Sequence, residues 1–376
     1  MRVFIDARMT GRSGVGVVLS EVLRQWFAAP PDFDLLLMGA GQELRSEVAA
    51  LSDGAAQRIR LVPWNAAIYS PAAWFKSARA LGARRGDAFL GFHYATSYFP
   101  GVPLVCYVHD LLHATHPPRS GTATYAGLAL RILRSRAAYT IVPSRHVKVQ
   151  LQTLWRFPAE RVLHIPSGAG LAEGTAPSPG AGPRDYLLAV GLMKPHKNWD
   201  FLLKRLAGLW REDRLALPLV VAGLGAETSS FREWLRDVGL DRRVRVEARM
   251  EPPELMRLYA GARALLFPSR AEGFGLPVLE ALWQGTPVVL ADRSPMNELS
   301  GSGCLYFDPD SAETFDRAVL AVAEDEAGAA RLGQEGLSAV RARYRWRDTA
   351  DRLAAVLREA AEGGSPQRRR TAVAPR

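Results

Sequence analysis

Residues 267–290, FPSRAEGFGLPVLEALWQGTPVVL, decide how the rest of the chain is read. The stretch leaves an apolar strand, passes a polar turn and an aromatic flanked by Gly273 and Gly275, enters a brief helix, and leaves through a second apolar strand. Proline suits the first helical turn because its missing N–H leaves no intrahelical bond unmade, so the helix should start at Leu276 or Pro277 and end at Gly285. Its unpaired N–H groups and positive dipole end would then point at residues 272–275, where an anion is stabilised. Two carboxylates bracket the turn, Glu272 in the loop and Glu280 among Val278, Leu279, Ala281 and Leu282. A carboxylate in such company needs a partner, which ligand hydroxyls would supply. The plainer alternative is a solvated loop acid and a dipole-favoured helix acid.

Further out, the chain repeats short, nearly continuous apolar runs at 3–5, 35–38, 58–62, 88–90, 103–108, 138–142 and 162–165, then at 186–190, 217–222, 244–246, 264–267 and 288–290. Such strands alternating with helices indicate parallel sheets covered on both faces. Ligands bind such sheets at the carboxyl ends of the strands. His109 and Asp110 follow one strand, in CYVHDLLH, and His93 follows another, in FLGFHYATS. An imidazole there can donate to a hydroxyl or a phosphate, or can simply cap the strand. In the second half, GLMKPHKN (residues 191–198) follows a strand, and Asn198 is expected to N-cap a helix running to about Leu209, which presents Lys197 just ahead of a helix N-terminus. Residues 11–16, GRSGVG, read as a flexible loop before a helix from about Val17. Leu19 stands where the third glycine of a dinucleotide fingerprint would fall, so Gly14 and Gly16 do not complete one.

A length of 376 residues suits two domains. The boundary belongs in the Gly/Ala/Pro/Ser-rich residues 167–184. The expected organisation is a first domain at 1–168, a linker at 169–184, a second domain at 185–345, a C-terminal helix at 346–362 and a disordered basic tail at 363–376. Apolar content of 48% and charged content of 23% are those of a globular protein. No apolar run approaches the roughly 18 residues of a membrane span, and MRVFIDAR reads as a first strand with no signal peptide ahead of it, so a cytoplasmic location is expected. Cys106 and Cys304 fall in different halves, which argues against a disulfide framework. The net charge of +10 suits an anionic partner; without Arg368, Arg369, Arg370 and Arg376 it is still +6. No zinc spacing, RNA-recognition signature or basic helix interleaved with aromatics occurs, so nucleic acid is not expected. Residues 71–85 and 128–136 set Trp74, Phe75, Leu130 and Ile132 beside several Lys and Arg. As basic amphipathic helices they would lie on an anionic membrane surface, or they are ordinary solvated faces. Asp308 and Asp310 have the spacing of a metal-binding pair, but Pro309 argues for a turn, and no metal site is expected.

The 267–290 turn resembles the signature of the family-4 retaining glycosyltransferases (glycosyl transferases group 1): Glu272, seven residues, Glu280, an EGFGLP core and a following GTPVV strand. The likeness is strong over residues 186–309 and looser before 167. It implies an α/β GT-B fold, two Rossmann-like parallel-sheet domains facing across a cleft, with the C-terminal helix at 346–362 crossing back to the first domain. A nucleotide-diphosphate sugar, GDP- or UDP-linked, would be held by the second domain and a glycan or lipid-linked oligosaccharide acceptor by the first, with no cofactor and no obligatory metal. Catalytic roles are implied for Glu272, His109 and Lys197. Donor contacts are implied for Glu280, Gly273, Phe274, Gly275, Leu276, Lys197, Gly14, Gly16 and Met250, and acceptor contacts for His109, Asp110 and His93. In this resemblance Glu280 meets the donor ribose, Glu272 the hydroxyls of the transferred sugar and Lys197 the diphosphate, in a front-face reaction. Leu192 stands where some members carry an Arg, which removes a second phosphate cation unless Lys194, His196 or an Arg elsewhere replaces it. The KPHKN context leans towards GDP-mannose, and with it towards hexose transfer in bacterial cell-surface polysaccharide synthesis, at the inner face of the plasma membrane. A nucleotide-sugar epimerase or phosphorylase, and an inactive sugar-nucleotide-binding protein, are the other readings of the same fold.

Overall fold

The structure is a computed structural model that describes residues 1–11, 13–39, 41–49, 58–117, 119–170, 184–247, 250–299 and 303–363. The chain divides into two compact units, Met1–Gly168 with Arg345–Arg376, and Ala169–Tyr344. Most of the expected linker and nearly all of the expected basic tail lie outside the described residues.

Unit 1 is built on strands β1 (Arg2–Asp6), β2 (Asp34–Met38), β3 (Ile59–Val62), β4 (Ala88–Gly91), β5 (Leu104–Tyr107), β6 (Ala137–Val142) and β7 (Val162–His164), ordered β3-β2-β1-β4-β5-β6-β7. Unit 2 is built on β8 (Leu187–Val190), β9 (Leu219–Ala222), β10 (Val244–Val246), β11 (Ala264–Phe267), β12 (Val288–Ala291) and β13 (Cys304–Phe307), ordered β10-β9-β8-β11-β12-β13. Every pairing is parallel. The central strands β4, β5, β9, β11 and β12 are buried throughout, whereas the edge strands β3, β10 and β13 are each partly exposed, Arg60 and Arg245 among the exposed residues. Charged side chains on an edge oppose pairing with another chain. Each sheet reverses its strand order once, at β1/β4 and at β8/β11, and such a reversal opens a crevice at the carboxyl ends of the strands.

The helix Trp346–Ala361 belongs to unit 1. Trp346, Ala350, Leu353, Leu357 and Ala360 are buried along one stripe at helical spacing. Trp26 donates its indole N–H to the Ala350 carbonyl at 3.1 Å, Tyr139 donates to Glu359 at 2.7 Å, and Arg358 pairs with Asp32.

Two local expectations are corrected. The helix expected from about Val17 begins at Ser13, so Gly14 and Gly16 lie in its first turn rather than in a loop. A Cβ on Gly16 would come within 2.4 Å of the Met9 carbonyl oxygen, so close packing selects this glycine, not loop flexibility. Residues 71–85 do not form an amphipathic helix. They make two short 3₁₀ turns, Pro71–Phe75 and Arg79–Leu81, with Trp74 buried in the core.

Candidate active site

In unit 2 the chain leaves β8 through Gly191, whose φ of +139° turns it sharply. The loop beyond is pinned at three points: Met193 N–H on Glu227 at 3.0 Å, the Trp199 indole on the Leu192 carbonyl at 2.9 Å, and Arg270 N–H on the His196 carbonyl at 2.7 Å. Asn198 does precede the helix Trp199–Arg211, but it sits in the left-handed region (φ +59°) and its side chain makes no cap. Backbone anchors, not a capping side chain, present Lys197.

Across the reversal, β11 leads into the turn at residues 268–275. Gly275 takes φ +99° and precedes the helix Leu276–Trp283, with Pro277 in the first turn and Gly285 at φ +70° just past the end. Lys197 Nζ lies 2.6 Å from Glu272 Oε1, both side chains being mostly buried, and 5.0 Å from the centre of the Phe267 ring. One cation, one acid and an aromatic face therefore meet where a helix N-terminus opens. Near Lys197, Ser269 Oγ is buried without a hydrogen-bond partner, as is Asn198 Nδ2. A buried polar group without a partner costs stability unless a ligand or water satisfies it.

Glu280 is buried, and its Oε2 accepts from the Tyr259 hydroxyl at 2.9 Å. Burial, followed by this carboxylate, raises the Tyr259 phenol well above its ordinary value, which keeps it a donor. The partner that Glu280 requires is thus partly a protein hydroxyl. The Phe274 ring packs into the core, edge-on to Tyr344, so a ligand meets this residue through its backbone only. Met250 is partly buried, while residues 248 and 249 beside it lie outside the described residues. Arg270 does not take the place of the cation missing at Leu192, because it is committed to Asp310 at 2.5 Å and to the Pro309 carbonyl. Asp308 accepts the Asp310 N–H within its own turn, and Arg270 holds the Asp310 carboxyl below its usual range.

In unit 1 the reversal carries a different chemistry. Asp6, at the end of β1, pairs with Arg8 at 2.7 Å with both side chains 5% exposed, and accepts from the Thr96 hydroxyl at 2.8 Å. Arg8 also donates to the Ala66, Ala67 and Ala95 carbonyls and stacks 3.7 Å over Trp64. These contacts fix the loop that walls an 810 Å³ cavity lined by Thr10, Trp64, Tyr69 and Ser70. His109 stacks on Tyr107 at 4.4 Å. Burial pushes its pKa down to about 3, against a hydrogen bond to the Phe92 carbonyl that raises it. Its Nε2 is buried with no partner. His93 accepts the Ala95 N–H on Nδ1 at 2.9 Å, and burial holds it well below its ordinary value. Asp110 accepts the Leu112 N–H at 2.9 Å. Tyr94 hydrogen-bonds His113 at 2.7 Å. The sequence reading missed Arg8, Trp64, Tyr94, His113 and Tyr259. Only Asp6 and Arg8, two residues apart in MRVFIDAR, left a local signal, a charge pair at the end of a buried strand.

Residues 176–338 match the family Glycosyl transferases group 1, and residues 12–173 match Glycosyltransferase Family 4. D-inositol 3-phosphate glycosyltransferase 1 of Catenulispora acidiphila is 32% identical over 287 residues, which is 70% of this chain and 68% of that one. The O-antigen chain mannosyltransferase RfbU of Salmonella typhimurium is 26% identical over 212 residues, 56% of this chain and 58% of its own length. Among solved structures, a sucrose-phosphate synthase from Thermosynechococcus elongatus superposes with a TM-score of 0.73 at 17% identity, covering 96% of this chain and 98% of that one. Anabaena HepE, in complex with UDP and glucose, superposes at 0.69 and 17%, covering 95% and 98%. Both structures share the two-sheet GT-B fold. With the Glu272–Glu280 turn set at the end of β11 and the family matches running through both units, the chain belongs to the family-4, group 1 glycosyltransferases.

Proposed function

We propose that this protein transfers a hexose, mannose for preference, from a nucleotide-diphosphate sugar to a glycan or lipid-linked acceptor with retention at the anomeric carbon. The observation that carries the reading is the Lys197–Glu272 pair, 2.6 Å apart, at the opening of the Leu276–Trp283 helix. Charge develops on the leaving diphosphate, and preorganised donors in a dry site stabilise it most effectively. Lys197 and the N–H groups of residues 273–276 take that part, so the reading assigns no step to a metal. Glu272 orients Lys197 in the free protein and accepts from hydroxyls of the transferred sugar once the donor is bound. Glu280, steadied by Tyr259, accepts from the ribose. In unit 1, neutral His109 offers the acceptor or the sugar an imidazole Nε2 that accepts a hydrogen bond from a hydroxyl, with His93 and Asp110 beside it.

The preference for mannose rests on mannosyltransferases among the relatives, as does a role in cell-surface polysaccharide synthesis; GDP is the nucleotide that follows, and peripheral association with a membrane belongs to the same reading. A thermal-shift panel of GDP, UDP and ADP tests it. A nucleotide at 100 times its dissociation constant adds about 2.7 kcal/mol of stability. GDP is expected to give the largest shift, a larger UDP shift would transfer the preference to uridine donors, and no shift with any of them would refute the donor site.

A further inference from the structure

The charge of this chain is concentrated in one stretch. Residues 59–159 hold twelve Lys and Arg against two acids, Asp87 and Asp110, a surplus of ten that equals the net charge of the whole protein. Asp87 is buried against Arg2, and Asp110, half-buried, accepts the Leu112 N–H.

Within the same stretch, two large apolar rings are held outside the core. Phe75 is 65% exposed and Phe99 36%, and they stack at 5.3 Å with planes 4° apart. Arg136 lies 4.5 Å over the Phe99 ring. The segments that carry the pair are sewn together: Tyr98 N–H donates to the Trp74 carbonyl and Ala78 N–H to the Pro100 carbonyl, each at 2.9 Å, Ser97 Oγ to the Lys76 carbonyl at 2.6 Å, and Arg79 Nε to the Gly101 carbonyl at 2.9 Å. Trp74, next to Phe75, is anchored in the core with its indole on Tyr125. The helix Thr122–Arg136, which ends at the arginine on Phe99, exposes Leu128 and Arg131.

We infer that this face of unit 1 docks on an anionic lipid bilayer, with Phe75 and Phe99 entering the headgroup layer and Lys76, Arg79, Arg131 and Arg136 on its phosphates. Aromatic rings settle at the boundary between water and acyl chains, and cations around them draw the protein to negative lipid. The hydrogen-bonded platform presents the rings already ordered, so little freedom is lost on docking. Charge complementarity selects the occupant, since a neutral surface would leave the four cations around Phe75 and Phe99 unmatched. The inference rests on the proposed function only in expecting a membrane-associated acceptor.

Co-sedimentation of the full chain with vesicles of phosphatidylcholine alone, or mixed with phosphatidylglycerol, tests it. Binding is expected to the mixed vesicles only and to weaken as salt is raised. Phe75→Ser with Phe99→Ser should lower partitioning by about tenfold, and Lys76→Gln with Arg131→Gln by about thirtyfold, with melting temperature unchanged in both. Equal binding to neutral vesicles, or wild-type partitioning by both variants, would overturn the proposal. So would retention on a soluble acidic polysaccharide, lost in the same variants, when lipid binding is absent. Turnover of donor with a water-soluble acceptor is read in parallel. If vesicles bind and nothing turns over, the enzymatic reading fails and the docking face stands.

Discussion

The two sheets reverse strand order at equivalent places, β1/β4 and β8/β11, yet the crevices carry opposite electrostatic arrangements. In unit 1 the charges are used up internally. Asp6 and Arg8 are enclosed and saturated by Thr96, three carbonyls and Trp64, and the histidines are held neutral by burial. In unit 2 the Lys197–Glu272 pair has fewer partners and more exposure, 16% and 11% against 5% and 5%, beside a helix N-terminus and two unsatisfied polar groups. A saturated pair is scaffolding that leaves hydroxyls and aromatic faces for an uncharged ligand. An under-coordinated pair can change partners when an anion arrives. Topology thus fixes where each crevice lies, and the degree of internal satisfaction decides which chemistry it serves.

The sharpest break in this comparison is expected from Arg8→Met, which strands a buried Asp6. It should cost about 3–5 kcal/mol in urea unfolding, and a loss below about 1 kcal/mol would show that the unit 1 pair is no scaffold. Lys197→Met should do the reverse, leaving the melting temperature near wild type while lowering kcat about 10²–10³-fold. Combined with Glu272→Gln it should be little worse than the more damaging single variant, because the two act as a unit; additive losses would separate their roles. Gly275→Ala forces a side chain to φ +99°, 3.0 Å from Leu299 Cδ1. A cost of about 1–3 kcal/mol is expected, together with weaker nucleotide binding, and a calorimetric melt with and without GDP reads both.

The smallest effect is on pH dependence and belongs to unit 1. His109 is buried neutral, with a folded pKa near 3 against 6.5 for the free side chain. Above pH 6.5 neither state binds the proton and there is no contribution. As pH falls below 6.5 the unfolded chain takes up a proton that the folded one refuses, so stability falls at up to about 1.4 kcal/mol per pH unit until pH nears 3. His93 is shifted in the same direction and adds to the slope. His109→Asn should flatten the urea-unfolding profile over that window, and an unchanged slope would contradict the buried, neutral imidazole.

Those variants probe features that were unequally legible in the sequence. The strands were readable because apolar runs such as 264–267 and 288–290 are buried on both faces, and the Leu276 helix because Pro277 and Gly285 bound it chemically. The glycines of GRSGVG suggest a flexible loop by composition, whereas at Gly16 the Met9 carbonyl leaves room for nothing larger inside the helix. Residues 71–85 misled because composition does not tell which aromatic the core takes: Trp74 went in and Phe75 stayed out. The pairing of Lys197 with Glu272 joins positions 75 residues apart, and that of Tyr259 with Glu280 joins two helices. Such contacts exist only after the sheet has assembled, so no local pattern announces them.

The return of the helix Trp346–Ala361 to unit 1 has a consequence for synthesis on the ribosome. Domains generally fold as units while the chain emerges, N-terminal part first. Here the first unit to emerge lacks a piece of its own wall: the buried stripe around Trp346, Leu353 and Leu357 and the Ala350 carbonyl that receives the Trp26 indole. The second unit, contiguous from Ala169 to Tyr344, is translated whole before that wall exists. The later-made unit can therefore mature first, while the apolar face of the earlier one waits for the end of the chain, a delay during which a chaperone would find its substrate.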